Sequence, residues 1–276
     1  MIGVPLMIVT VVTPTLNAGR YLRECIQSTQ RNSGPGIEVD HVVVDGGSTD
    51  GTVEMAQSLG ARVLTGKDSG IFDAINKGSF TAPGELLGFL GADDVMLEGA
   101  LRTVVDAHRS GGREWVVGGI RWIDETGRGM GELAAPPQWM TARMLACLGW
   151  SPIMHMGTYF SRRFFTELGG FNIAYKDAGD YDMFARALAV KPFERLSRPI
   201  ACYRRTGANN SAVHETRMRR EIDAVLTSFG PASTAERRFW RYALKVRLNA
   251  GNPEWLLHKL AHKVRLRLRL QETAYF

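Results

Sequence analysis

The chain has 276 residues, enough for one large domain or one domain with a small appendage, and its 45% hydrophobic and 22% charged content excludes a disordered chain. Cys25, Cys147 and Cys202 are odd in number, widely spaced and without a C-x-x-C pair, which argues against a disulfide framework or a zinc site and fits a reducing compartment. The net charge is +6, yet ten Lys and Arg between Arg237 and Arg269 face one acid, Glu254, so the basicity belongs to the C-terminal segment alone.

The opening "MIGVPLMIVTVV" is shorter than the roughly 20 residues that span a bilayer. It lacks a basic start and a small-residue cleavage site, so it reads as a first core strand. Pro14 and Asn17 end that strand in a turn. "AGRYLRECIQSTQRN" places Tyr21, Leu22, Cys25, Ile26 and Thr29 on one helix face. "EVDHVVVDGGSTDGT" is a strand centred on Val42 to Val44 that runs into a Gly-rich turn. "TVEMAQSLGA" predicts a helix stopped by Gly60, followed by the short strand "RVLTG". "IFDAINKGSFTA" is helical, Pro83-Gly84 turns the chain, and "ELLGFLG" is another strand. Strand and helix thus alternate through the first ninety-odd residues, which implies βαβ units. The expected class is α/β, with a Rossmann-like, mostly parallel sheet flanked by helices.

In the middle, "EWVVGGIRWIDETGRG" suggests a strand pair turning at Glu125 to Gly127, and "PPQWMTARMLACLGW" a loop into an amphipathic helix. "GTYFSRRFFTELGGF" suggests a strand and a short helix ending at Gly169-Gly170. "DYDMFARALAV" is a helix with an acidic first turn, which also suits the helix dipole. Beyond about residue 215 the chain reads as helical and basic.

In a sheet of this kind ligands bind beyond the carboxyl ends of the strands. The unusual residues fall there: Pro14 to Asn17, Asp45 to Asp50, and the adjacent pair Asp93-Asp94 that ends "LLGFLGADDV". Two like charges at the tip of a buried strand repel. They are either solvated loop charges or a clamp for something positive.

Taken together and in order, "TPTLN", "VVVDGGSTDGT", "KDSGIFDAINKG", "GELLGFLGADDV", "GGF" and "GDYDMFARAL" resemble family-2 glycosyltransferases of the GT-A fold, over roughly residues 8 to 205. The variants present look like bacterial enzymes that build surface polysaccharides or glycolipids. The resemblance implies that Asp45 bonds the base of a nucleotide sugar, and that Pro14, Thr15 and Asn17 form the first nucleotide-contacting turn. Asp73 and Asn76 would line the nucleotide pocket. Asp93 and Asp94 match the family's metal-binding acidic element, which holds Mg²⁺ or Mn²⁺ on the diphosphate of the donor. Asp94 would ligate the metal, and Asp93 would contact the ribose or a metal-bound water. Asp180 matches the base that takes the acceptor's proton in an inverting displacement, with Asp182 as runner-up. His155 would contact acceptor or diphosphate, and Arg204, in "YRRTGANNS", would lie in a mobile segment over the diphosphate. Two positions depart from the family pattern: Gly46 and Gly179 stand where many members carry an acid.

These readings give a GT-A catalytic domain over 1–215, with a nucleotide-sugar half at about 1–97 and an acceptor half at about 98–215, and a basic, mostly helical extension over 216–276. The expected activity is metal-dependent, inverting transfer of one sugar from a UDP-, GDP- or dTDP-sugar to a lipid-linked saccharide, glycolipid or polysaccharide precursor. A processive-synthase signature is not evident. A catalytically inactive nucleotide-sugar-binding protein on the same scaffold is the alternative. A nucleotidyltransferase is disfavoured, because "TPTLNAGRYL" replaces the Gly-rich, basic phosphate loop. The aromatic and aliphatic residues scattered through the basic tail, among them Phe239, Trp240, Tyr242, Trp255 and Leu260, suit contact with an anionic membrane surface. The rival is a helix packed on the domain with a solvated basic face; no nucleic-acid motif accompanies the charge. The expected location is cytoplasmic, at the inner face of the plasma membrane.

Overall fold

The computed structural model describes residues 5–207, 209, 214–230, 232–250, 257 and 260. Its framework is a nine-stranded sheet. The strands are β1 (Met7–Thr15), β2 (Ile37–Asp45), β3 (Arg62–Thr65), β4 (Leu86–Phe89), β5 (Val95–Met96), β6 (Trp115–Ile123), β7 (Gly129–Leu133), β8 (Thr158–Ser161) and β9 (Glu194–Arg204). They lie in the order β3-β2-β1-β4-β8-β6-β9-β5, with β7 paired to β6. The helices are α1 (Leu22–Gln30), α2 (Thr52–Ser58), α3 (Ile71–Thr81), α4 (Ala100–Gly111), α5 (Ala142–Leu148), α6 (Arg162–Glu167), α7 (Gly179–Val190), α8 (Glu215–Ser228) and α9 (Thr234–Ala250).

The expected α/β architecture is present. Pairing among β1 to β4 is parallel, as their alternation with helices requires. Antiparallel pairs enter with β5, β7 and β8. Strands buried on both faces need near-continuous apolar runs, and alternate residues divide the core in two. Val12, Val42, Val44, Leu87 and Phe89 face a cluster built with α3, α5, α6, α7, α8 and α9. Val9, Val11, Val43 and Leu86 face the cluster of α1, α2 and α4.

The strand pair around Glu125 to Gly127 forms as β6 and β7, its turn closed by Asp124 accepting from Thr126 N (2.9 Å) and Arg128 N (3.0 Å). Helix α5 is capped by Thr141 and buried from Met144 to Leu148, because α7 and α9 both pack on it. β9 was not legible as a strand. It lies between β6 and β5, a central place decided by partners far away in the sequence. Two helices of the basic extension share the first core, through Val225 and Leu226 of α8 and Leu244 of α9. The alternating "KVRLRLRL" at 263–270 lies outside the described residues, as do Trp255 and, within "YRRTGANNS", Ala208, Asn210 and Ser211. Among the described residues no helix is long and apolar enough to cross a membrane.

Candidate active site

The carboxyl ends of β3, β2, β1 and β4 form a continuous rim, tied by backbone bonds from Gly66 N to Asp45 O (3.0 Å), Gly46 N to Thr15 O (3.0 Å) and Leu90 N to Val12 O (3.1 Å). On it the first two sequence blocks lock together. Asp45 Oδ1 accepts from Gly47 N (2.9 Å) and Ser48 N (2.8 Å), while Oδ2 accepts from Thr15 Oγ1 (3.1 Å) and Ser48 Oγ (2.5 Å). Burial opposes the charge on Asp45, but those bonds from Ser48, Gly47 and Thr15 outweigh it and hold the carboxyl below its usual range. Asn17, in the left-handed region (φ 51°), donates its N–H to Ser48 Oγ (2.7 Å) and accepts from Thr49 N (3.0 Å). Pro14, Thr15, Asn17 and Asp45 thus come together as expected. The carboxylate of Asp45, however, is spent on shaping the turn.

Helix α3 borders this rim. Asp73 accepts from Ser69 N (2.9 Å), the bond that most lowers its pKa, and pairs with Lys77 (3.0 Å). Lys77 also holds Asp68 (2.6 Å). Asn76 does not present its amide to the rim: Nδ2 donates to Phe171 O (2.8 Å) and Oδ1 accepts from Phe171 N (2.9 Å). Both ends are consumed in fastening α3 to the loop before α7.

The second group gathers beyond β4. Gly91 precedes the acidic pair because the carboxylates fold back over it: a Cβ there would lie 2.7 Å from Asp94 Oδ2 and 3.0 Å from Asp93 Oδ1. Asp94 is 1% exposed. Burial, then the neighbouring Asp93, drives its pKa well above the usual range, and burial raises Asp93 as well. Asp94 Oδ1 accepts from Arg204 N (3.0 Å), and Asp93 Oδ2 from Asn209 Nδ2 (3.0 Å). Asp94 Oδ2 faces His155 Nε2 at 4.0 Å with no hydrogen bond. Burial lowers His155 to about 4, so its imidazole is neutral and one ring nitrogen has a lone pair to offer.

Arg204 is not a mobile arm. It is buried at the end of β9, with Nε on Asp93 O (2.9 Å), Nη1 on Asp124 O and Glu125 O (3.3 Å each) and Nη2 on Glu24 of α1 (2.6 Å). Its four side-chain hydrogen bonds pin the acidic loop to two neighbouring elements, which a sequence reading based on phosphate chemistry could not foresee. Asn209 was missed altogether, although its place four residues past the Arg pair in a polar stretch was a signal.

No three or more His, Cys, Asp or Glu among the described residues are arranged to hold a metal ion by themselves. The donor set still fits a hard divalent cation. Two carboxylates whose charge burial disfavours stand side by side, and a neutral imidazole stands 4.0 Å from one of them. Such an ion usually completes its shell with substrate phosphates and water.

Asp180 sits in the first turn of α7. Tyr181 N donates to it (2.7 Å), no cation among the described residues pairs with it, and burial raises its pKa to about 6. Asp182 is engaged differently: Arg186 grips it (2.8 and 2.7 Å) while donating to Leu168 O (2.6 Å) and Gly170 O (2.9 Å). The runner-up carboxylate is a structural tie. Gly179 has no room for a side chain, since a Cβ would lie 2.5 Å from the Phe72 ring of α3. That contact explains the missing acid there and seats the Asp180 turn against the helix that borders the nucleotide rim. The loop into α7 has no side-chain cap of its own. Glu221 of α8 supplies one, accepting from Lys176 N (2.9 Å), Asp177 N (2.8 Å) and Ala178 N (2.9 Å).

Residues 10–169 match the family model for glycosyl transferase family 2. The chain belongs to that family. A PGL/p-HBAD biosynthesis glycosyltransferase of Mycobacterium bovis is 29% identical over 190 residues, covering 65% of this chain and 69% of its own. The chondroitin synthase of Escherichia coli is 27% identical over 212 residues, covering 74% of this chain and 30% of its own. Among solved structures, S. aureus TarS 1-349 in complex with UDP-GlcNAc matches at TM-score 0.62 and 20% identity, covering 88% of this chain and 73% of that one. The mannosyltransferase PcManGT of Pyrobaculum calidifontis, in complex with GDP-Man and Mn²⁺, matches at 0.56 and 20%, covering 94% and 75%. These two solved structures share the fold of this chain, and the rim described above lies within residues 10–169.

Proposed function

We propose that this glycosyltransferase moves one sugar from a nucleoside-diphosphate sugar to a hydroxyl group by single displacement, with inversion at the anomeric carbon. The observation that carries the reading is the Asp93–Asp94 pair: two adjacent carboxylates just beyond a strand end, both with their charge disfavoured by burial, and Asp94 Oδ2 facing His155 at 4.0 Å. A UDP-, GDP- or dTDP-sugar would place its nucleoside along the β1–β2 rim and its diphosphate at Asp93 and Asp94, with His155 beside them. Mg²⁺ or Mn²⁺ held there would neutralise the charge that develops on the diphosphate as it leaves. Asp180 takes the proton of the attacking hydroxyl as the acceptor oxygen bonds to the anomeric carbon and the nucleoside diphosphate departs with the electrons of the broken bond. The relatives and neighbours whose names include a nucleotide sugar or Mn²⁺ support this donor class.

The acceptor in this reading is a lipid-linked saccharide, glycolipid or glycan precursor at the inner membrane face, in keeping with a relative named for PGL/p-HBAD biosynthesis. Helix α9 supports it. One side of α9 packs on α5, where Arg241 donates to Cys147 O (3.2 Å) and Leu148 O (3.1 Å). Its other side leaves Phe239 (62% exposed), Tyr242 (73%) and Val246 (49%) at i, i+3 and i+7 among exposed Arg238 and Lys245. An apolar stripe within basic residues suits an anionic lipid surface.

Thermal unfolding with UDP, GDP and dTDP, each with Mn²⁺ or with EDTA, tests the donor site. At least one diphosphate should raise Tm with Mn²⁺ and lose that effect in EDTA or in Asp94→Asn. Failure of all three to move Tm would overturn the reading. Transfer or donor hydrolysis separates an enzyme from a binding protein on the same scaffold.

A further inference from the structure

Asp45 has no acceptor capacity left for a ligand, since each of its oxygens takes two hydrogen bonds from the turn. Beside it, Gly46 leaves a gap. A Cβ built at Gly46 would meet only ordinary contacts: Asp68 Oδ2 at 3.6 Å, Thr15 O at 3.7 Å and Leu16 Cδ1 at 3.9 Å. Asp68 comes from the loop between β3 and α3, and its side chain is 10% exposed. Lys77 Nζ binds its Oδ1 at 2.6 Å and so fixes the rotamer. Among the described residues nothing donates to Oδ2, which lies 3.6 Å from the place a Gly46 Cβ would take. The same lysine bridges to Asp73, which anchors the first turn of α3. A carboxylate oxygen held in place beside a gap, with no donor on it among the described residues, has acceptor capacity to offer a ligand.

The geometry points to Asp68 as the residue that binds the nucleoside of the donor, its Oδ2 accepting a hydrogen from the ribose or the base in the gap over Gly46. Glycine at 46 makes the space, and the carboxylate reaches it from the next loop. This assignment rests on the nucleotide-sugar reading above. It gives specificity to Asp68, a residue that the sequence motifs left aside, and leaves Asp45 as the turn's fastener.

Titration calorimetry with UDP, GDP and dTDP in Mn²⁺ identifies the diphosphate that binds the wild type best; pyrophosphate in Mn²⁺ serves as the control. Asp68→Asn keeps an oxygen for Lys77 but removes the charge, and should weaken the chosen diphosphate about tenfold or more. Pyrophosphate should bind wild type and variant alike. Moving the carboxylate, as Gly46→Asp on the Asp68→Asn background, should recover at least part of the loss. Where UDP or GDP is the ligand, a 2′-deoxy counterpart indifferent to Asp68→Asn assigns the hydrogen to the ribose, and an equal loss assigns it to the base or the 3′-hydroxyl. Unchanged diphosphate affinity in Asp68→Asn, or an equal loss of pyrophosphate, overturns the assignment. Absence of any nucleoside-diphosphate binding by the wild type, with pyrophosphate still bound, would overturn the donor reading itself.

Discussion

Replacement of Asp180 by Asn separates catalysis from stability in opposite directions. Burial holds the Asp180 carboxyl at about 6 in the folded chain, against a model-peptide value of 3.8. The native state therefore binds this proton more tightly than the unfolded chain does. Its contribution to stability is fully present below the unfolded value and is lost as pH rises through about 6. With some solvent access to the side chain, a shift of about two units amounts to about 1–3 kcal/mol of strain carried by the ionised form at neutral pH. Asn relieves that strain and keeps an oxygen for Tyr181 N, so Asp180→Asn should raise the urea midpoint at pH 7.5. The same change removes the proton acceptor and should lower kcat by about 10²–10⁴-fold. In the wild type, kcat/KM should climb about tenfold per pH unit up to roughly 6 and level off above it. Asp182→Asn should act in reverse: it loosens Arg186 from the Leu168–Gly170 loop, destabilises by about 1–3 kcal/mol and leaves most of kcat in the folded fraction. Radiolabelled or coupled transfer assays alongside urea titrations read both quantities. Asp180→Asn with near-wild-type kcat, or with an unaltered acid limb, would refute the assignment.

Further outcomes follow from the supports around the site. Arg204→Met leaves three backbone carbonyls without their donor and releases the half-exposed Glu24, and should cost about 2–4 kcal/mol in chemical denaturation; Arg204→Lys, which keeps the charge without the fork, should fall between. Glu221→Ala uncaps the loop leading to Asp180. It should cost about 1–2 kcal/mol and reduce kcat more than donor KM, whereas Glu221→Gln, which keeps one acceptor, should restore part of both. Phe239→Glu with Tyr242→Glu should reduce co-sedimentation with vesicles rich in phosphatidylglycerol while leaving Tm within a degree or two, because both side chains face outward.

The order of β1 to β4 with their helices was legible because it rests on local periodicity. Apolar runs ended by Pro14, Gly46 and Gly91 mark strands whose tips carry the chemistry, and no distant partner is needed to read them. The same holds for the acidic start of α7. β9 was hidden because its burial comes from β6 and β5, not from a pattern of its own. The roles of individual polar residues were hidden for a related reason. A sequence shows which atoms a side chain owns and not which of them are already engaged.

Sequence alone thus determined where the reactive residue types fall: at the carboxyl ends of parallel strands and at one helix start. Tertiary structure decided which of them remain available. Asp45, Asn76, Asp182 and Arg204 have their donors or acceptors taken by groups up to 180 residues away. Asp68, Asp94 and Asp180 are less fully engaged among the described residues. Burial makes the charge on Asp94 and Asp180 costly, and a cation or a proton offsets that cost.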